Sequence, residues 1–538
     1  MKKLPRFATL LASKKILLLT IIVFTASLSV RLYRLDSQTL ECDELYTIPA
    51  ATGHQYVYLS HEANAASTYI PVTTLEYRKL LTTEPSLGLG AVRSVLKRNV
   101  HLPLYFYLMH YWIGWFGTSE WILRFPSAFF GALTAVMIFA LGRELFSLSI
   151  GLVSSLLLAF SPEQIYFSQQ ARMYPLLAFL LVSSTYVMVL ALRRSSYTWL
   201  YVLYALISIA GLYTHYEYIF CLAAQSLYLW IGSPKAKEDW SRWLPTQLII
   251  GAAFLPWILV GLAQKTNSPE IIAWVNGSLT ANLILTEIVT KTARLISVPE
   301  LPFGWLSVVI SFILLIVGGV AVASDRAKLF LLLSWIGLPI AGVLLMDYWL
   351  GTRAITITRY WMVIAPPLYL LIAVGLERIR RRPIQIVLLA VLSGSLLAAA
   401  VLTAQGKLRG KPDRHKEMAQ FIDSQISDSG NQIVLTEGLN SLPLALAYYG
   451  QRDVTILRHK WLVDQLAQRS FPDITHGAPE ILLMVSGQSR AIKLLEENGF
   501  RLAGKPVQYG HVVTAKYVLD RRPHVPLSPE SEVVTPRK

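Results

Sequence analysis

Apolar runs recur along this chain at 16–30, 126–142, 148–160, 173–192, 198–213, 216–232, 244–263, 304–323, 328–347, 360–376 and 383–402. A single aqueous core cannot bury so many, because domain cores stop growing with chain length. A bilayer can, because it accepts helices of about 20 apolar residues each. Composition agrees. Of 538 residues 54% are hydrophobic and 15% charged, with a mean hydropathy of +0.46, whereas soluble domains carry about 25% charged residues. The expected fold class is a polytopic α-helical membrane protein of about eleven transmembrane helices.

The net charge of +16 does not call for a nucleic-acid partner. Lys and Arg collect in the cytoplasmic loops of membrane proteins and set their orientation. Lys2, Lys3, Arg6, Lys14 and Lys15 precede the first run, which has no small-x-small cleavage pattern after it. It therefore reads as an uncleaved first span with a cytoplasmic N-terminus. The stretch 101–116, HLPLYFYLMHYWIGWF, is aromatic and short for a span. It reads as a helix along the outer interface, the alternative being a second span. Basic loops decide between the two. Without a crossing at 101–116, the loops holding Arg143, Arg193 and Arg194, Lys235, Lys237 and Arg242, Arg326 and Lys328, and Arg378 to Arg382 all fall on the cytoplasmic side. With a crossing they all move outside, against the positive-inside rule.

This topology gives a membrane module over 1–403, in which 31–125 is a large outer loop with interfacial helices. The amphipathic stretch 281–298 reads as another interfacial helix. Residues 404–525 alternate strand-like and helix-like segments, which predicts a small extracytoplasmic α/β domain. Residues 526–538 read as a disordered tail. The two cysteines, Cys42 and Cys221, form no metal-type or disulfide spacing, and Cys42 has no nearby His to activate it as a nucleophile.

The outer loops hold the chemistry. The first contains DSQTLECDELYT (36–47), with Asp43 and Glu44 adjacent, and ends near His101. The second, SPEQIYFSQQARMY (161–174), supplies Glu163, Gln170, Arg172 and Tyr174. YTHYEY (213–218) supplies His215 and Glu217, and GTRAITITRYW (351–361) supplies Arg353, Arg359 and Tyr360. Taken singly these have ordinary readings: loop carboxylates are mostly solvated, and an arginine at a span end can snorkel. Together they are carboxylates and arginines on one side of the membrane. A guanidinium matches phosphate oxygens, and a carboxylate can take a proton from an acceptor hydroxyl.

In these residues the chain resembles the GT-C class of lipid-linked-sugar-dependent glycosyltransferases. The bacterial branch related to protein O-mannosyltransferases and the aminoarabinose transferase is the most similar. The resemblance is carried in order by the Asp43-Glu44 pair, HLPLYFYLMHYWIGWFGTSEWILRFPSAFFGALT (101–134), SPEQIYFSQQARMY, YTHY, LPW and TRYWMVIAPPLYLL (358–371). It covers residues 16 to about 376 and extends weakly beyond. It implies inverting transfer of a sugar, a hexose such as mannose, from a polyprenyl phosphate on the outer face of the plasma membrane. Asp43 maps onto the catalytic loop-one Asp and Glu44 onto its neighbour. Arg359 maps onto the arginine near the donor phosphate. His101, Arg172, Tyr174, His215, Arg353 and Tyr360 complete the expected substrate-binding set.

Leu102 replaces a family Pro, and Gln170 stands where the family commonly has Glu, which removes a carboxylate. Some relatives use a divalent metal. If this chain does, the candidate ligands are Glu44, Glu163 and His101; no other cofactor is expected. The implied partners are the lipid-linked sugar, membrane lipids, and a glycan, lipid or protein acceptor. A transporter or flippase of lipid-linked saccharides is the rival reading, and an assembly protein acting through its outer domain is the third. Transport predicts polar groups at mid-membrane and pseudo-symmetric halves.

Overall fold

The computed structural model describes residues 4–54, 72–82, 87–97, 101–194, 197–232, 236–264, 276–299, 301, 304–405, 414–426, 433–437, 442–466, 470–475, 478–486, 489–509 and 512–519. The expected tail at 526–538 lies outside them. The chain divides into two compact units.

The first unit comprises Met1–Leu35, Leu96–Tyr105 and Arg124–Leu408, and it is helical. Among the described residues eight helices are long and apolar enough to cross a membrane, or nine if the bent pair Leu148–Phe160 and Pro162–Ser168 is one span. The expectation was about eleven. Two of the expected spans, Trp199–Leu212 and Tyr218–Ile231, form apolar helices too short for that test, since 14 residues at 1.5 Å each fall short of a core of about 30 Å. The chain is a multi-pass membrane protein.

Small residues let these helices meet. A Cβ on Gly375 would lie 2.0 Å from the carbonyl oxygen of Leu314, and one on Gly318 would lie 2.1 Å from that of Leu371. The helices Gly304–Val322 and Ala365–Glu377 therefore touch through backbone.

The bent pair has a cause. Pro162 has no N–H, so the carbonyl of Leu158 loses its helical donor, and the two helices meet at 59°. The fully buried Arg31, at the end of the first helix Leu4–Leu32, compensates. Its guanidinium donates to the carbonyl of Ala159 at 3.0 Å, to Ser168 Oγ at 3.1 Å and to Ser27 Oγ at 2.6 Å. Gln169 Nε2 returns the favour to the carbonyls of Arg31 and Tyr33, at 3.0 and 2.9 Å. This is how the segment 161–174 is held.

The second unit comprises Asp36–Val95, Phe106–Leu123 and Arg409–Lys538. Its described strands β1 (Val72–Thr73), β2 (Ile433–Glu437), β3 (Thr455–Arg458), β4 (Glu480–Ser486), β5 (Phe500–Leu502), β6 (Val507–Tyr509) and β7 (Val512–Leu519) form one sheet. The order is β1-β3-β2-β4-β7-β5, with β6 also on β7. β2 runs parallel to β3 and β4, and β7 antiparallel to β4. Ile433, Leu435, Leu457, Ile481, Leu483 and Phe500 pack its core. The strands and helices expected over 418–498 are present within a few residues of their expected bounds; β5 to β7 were not anticipated.

The domain limits need correction. The expectation assigned all of 31–125 to the membrane module, but most of that loop packs with the C-terminal residues. β1 pairs antiparallel with β3, Val72 opposite Ile456. Thr74 Oγ1 donates to Asp453 Oδ1 at 2.9 Å, and Arg78 donates to the carbonyls of Ala447, Gly450 and Arg452. The loop completes the sheet edge and cannot be separated from it.

Candidate active site

In the membrane unit, four separate segments bring functional side chains together. His101 opens the helix Pro103–Phe116, and its Nε2 lies 3.1 Å from Nη2 of Arg172. A guanidinium only donates, so Nε2 accepts and the ring's proton is on Nδ1. Arg172 is 3% exposed. Its carbonyl accepts from Ser127 Oγ at 2.8 Å, and that hydroxyl also meets Tyr105 OH at 3.0 Å. The PSA segment at 126–128 thus fixes the backbone that presents Arg172.

Tyr174 starts the helix Tyr174–Arg193. Its ring lies 5.7 Å from that of His215, and His215 lies 6.0 Å from the ring of Tyr360. Arg359 is half-buried, with its guanidinium carbon 6.0 Å from the Tyr360 ring centre. His215 sits in the turn between two apolar helices, and its Nδ1 accepts the backbone N–H of Glu217 at 3.3 Å. Burial, then the charges of Arg172 and Arg359, push His215 down to about 3, so its ring is neutral. Its 3.6 Å approach to Glu217 Oε2 is therefore a close contact and not an ion pair. Burial holds the Glu217 carboxyl well above the usual carboxylate range, against a smaller opposite pull from Arg359.

Asp347, which the sequence reading passed over, builds the loop that carries Arg359. It is 1% exposed at the end of the helix Arg326–Leu350. Its carboxylate accepts from Thr352 Oγ1 at 2.5 Å and from the N–H groups of Ala354 and Ile355 at 2.7 and 2.8 Å. Two short 3₁₀ turns follow, Ala354–Thr356 and Thr358–Ile364. Lys291 was also missed. From the helix Ala281–Ile296 it donates to Thr358 Oγ1 at 2.9 Å and pairs with Glu287 Oε2 at 3.5 Å, so it braces the turn beside Arg359 as half of an ion pair. That helix leaves Leu285 and Val289 exposed while Ala293, Leu295 and Ile296 are buried. Arg353 is exposed, with Nη2 3.4 Å from the carbonyl of Asn276.

The carboxylate pair lies in the second unit, in the first turn of the helix Cys42–Thr52. There the two carboxyls separate in role. Glu44 is fully buried, and its Oε2 accepts the Glu41 N–H at 3.0 Å, which closes a capping box. That use is structural and leaves Glu44 poorly placed for proton transfer. Asp43 is half-exposed. The segment before the pair is clamped by the C-terminal residues: Leu40 N–H donates to Tyr449 OH at 2.7 Å, and the Leu40 carbonyl meets His415 Nδ1 at 2.9 Å. Tyr449 OH in turn donates to Glu120 Oε1 at 2.5 Å. Burial, then Glu120, pushes the Tyr449 phenol up, so it keeps its proton.

The candidate metal ligands divide between the units, His101 and Glu163 in the first and Glu44 in the second. Among the described residues no three His, Cys, Asp or Glu side chains are placed to hold an ion. Nε2 of His101 faces a guanidinium, Glu44 is a cap, and Glu163 is buried in the first turn of Pro162–Ser168. The residues present do not fit a metal centre.

A family model described as dolichyl-phosphate-mannose-protein mannosyltransferase matches residues 100–260. These residues carry His101, Arg172, Tyr174 and His215. The fold is similar to that of ArnT from Cupriavidus metallidurans in the apo state, with a TM-score of 0.58 and 13% identity over 92% of this chain and 97% of that one. In residues 100–260 the chain is thus similar to that mannosyltransferase family, and its fold is that of ArnT. ArnT bound to undecaprenyl phosphate is similar at a TM-score of 0.55 and 12% identity, with the same coverage. The oligosaccharyltransferase AglB from Archaeoglobus fulgidus, in complex with an inhibitory peptide and a dolichol-phosphate, is similar at 0.50 and 10%, over 88% of this chain and 69% of that one. No curated protein sequence matches the chain.

Proposed function

We propose that the chain transfers a sugar, a hexose such as mannose, with inversion from a polyprenyl phosphate to a glycan, lipid or protein acceptor. The reaction takes place on the outer face of the plasma membrane. The N-terminus is then cytoplasmic and the C-terminal residues extracytoplasmic, as the basic loops require. The observation that carries the reading is the convergence of Arg172 and Arg359, from two different loops, on the neutral ring of His215. A phosphate leaving group needs charge stabilisation in a site of low dielectric, and paired guanidiniums supply it. Lys291, paired with Glu287, braces Thr358 next to Arg359, and Arg353 lies at the exposed end of the same loop. Tyr174 and Tyr360 flank the histidine and offer aromatic faces for a sugar ring.

Asp43 is the base. It is the half-exposed member of the carboxylate pair and takes the proton of the acceptor hydroxyl as that oxygen attacks the anomeric carbon. The carbon–phosphate oxygen bond breaks on the opposite side, and the polyprenyl phosphate leaves as an anion held by the arginines. The ArnT and AglB structures with bound undecaprenyl phosphate and dolichol-phosphate lend the donor class support.

The test is transfer by purified protein in lipid with a polyprenyl-phosphate sugar. Asp43→Asn should abolish transfer and leave lipid-phosphate binding intact. Full activity in that variant would sink the base. Movement of labelled lipid across the bilayer without bond transfer would favour the flippase.

A further inference from the structure

Glu217 has no part in the chemistry described so far, and its surroundings are unusual. It is 6% exposed. Among the described residues neither carboxyl oxygen has a hydrogen-bond partner, although buried polar atoms nearly always do. The groups around it come from three elements. His215 and Tyr216 share its turn, Arg359 and Tyr360 come from the 3₁₀ turn Thr358–Ile364, and Arg172 and Tyr174 lie beyond His215.

The nearest of these decides the protonation state. Nδ1 of His215 must accept, since the backbone N–H of Glu217 points at it. Oε2 of Glu217 is 3.6 Å from the same nitrogen. An ionised carboxylate there would set lone pairs against a lone pair in a buried site. A carboxylic acid would not. A phosphate anion arriving between the arginines would further oppose ionisation.

We propose that Glu217 is a substrate-contacting residue, a neutral carboxylic acid that donates a hydrogen bond to a non-bridging oxygen of the lipid phosphate held by Arg172 and Arg359. This rests on the polyprenyl-phosphate reading of the site. No proton is transferred: the acid adds a donor where the arginines already supply charge, and it makes affinity depend on pH. Above its own pKa Glu217 becomes a buried anion facing an anion, and binding is lost.

The experiment is titration of the full-length protein in nanodiscs with undecaprenyl phosphate at neutral and alkaline pH. Wild type should bind and weaken as pH rises. Glu217→Met should bind about tenfold more weakly at neutral pH, the loss of one charge-assisted bond. Glu217→Gln keeps an N–H donor, so it should rescue most of that loss and remove the alkaline decline. Two results overturn the proposal: Glu217→Met binding like wild type, or Glu217→Gln carrying the full defect of Met, which would mean the anion is needed. If Glu217→Met does not fold, Glu217→Gln alone decides, by whether its alkaline decline persists. Failure of wild type to bind undecaprenyl phosphate at all would count against the donor reading itself, and it is visible before any variant is made.

Discussion

Arg172 donates from Nη2 to Nε2 of His101 across 3.1 Å, tying two segments that lie 71 residues apart in the chain. The histidine is therefore an acceptor that orients a guanidinium. His101→Ala should raise KM for the lipid donor about tenfold with a smaller effect on kcat, the loss of one bond to a charged group. His101→Gln can accept the same bond and should restore most of the difference. Initial rates at several donor concentrations separate the two.

Arg359 is expected to tolerate no exchange. Arg359→Lys keeps the charge but loses the planar fork that matches phosphate oxygens. It should lower transfer about a hundredfold, with binding of undecaprenyl phosphate weakened in parallel. An activity within a few-fold of wild type would place the phosphate elsewhere.

Asp347 holds its loop with three hydrogen bonds, two of them to backbone N–H groups. Asp347→Ala leaves those donors buried and unpaired, at a cost of about 3 kcal/mol. Thermal unfolding in detergent should show the loss. Transfer should fall as well, because the loop carrying Arg359 is released.

His215 gives a pH prediction with a definite sign. Its folded value, about 3, lies below the ordinary histidine value of about 6.5. The unfolded chain therefore binds the extra proton first. The stabilising contribution is complete above about pH 6.5 and is lost as pH falls toward about 3. His215→Gln should flatten that part of the stability profile. In the folded wild type, the ¹⁵N shifts of labelled His215 should not move between about pH 5 and 8.

Tyr449 tests the clamp on the segment that carries Asp43. Tyr449→Phe removes both its bond from Leu40 N–H and its bond to Glu120, a cost of about 2 kcal/mol. It should also lower transfer, by loosening the segment that carries Asp43. Unchanged rates would show that Asp43 needs no such support.

Most of the helical framework was legible because apolar runs and basic loops are periodic, local signals. The C-terminal helices and the longer strands were legible for the same reason. Three-residue strands such as Phe500–Leu502 and Val507–Tyr509 are too short to display a period of two. Val72–Thr73 is shorter still, which is why the union of the loop 36–95 with the C-terminal sheet was hidden. The arginines, histidines and tyrosines of the candidate site stand out in the sequence as polar residues at the ends of apolar runs. Asp347 does not, since two of its three partners are backbone N–H groups seven and eight residues downstream, and a backbone N–H leaves no trace in the residue type. Glu44 carried a usable signal: the Glu41-x-x-Glu44 spacing is that of a capping box.

The clamp on Leu40 also limits how this chain can be recombined. Swapping the C-terminal residues for those of a relative at a cut near 404 would strip β1 of its partner strand, Thr74 of Asp453, and Leu40 of both its anchors. The segment carrying the carboxylate pair would then be left without its support. A functional chimera has to exchange 36–95, 106–123 and 409–519 together, so whatever acceptor preference the C-terminal residues confer is inherited jointly with the loop that carries Asp43.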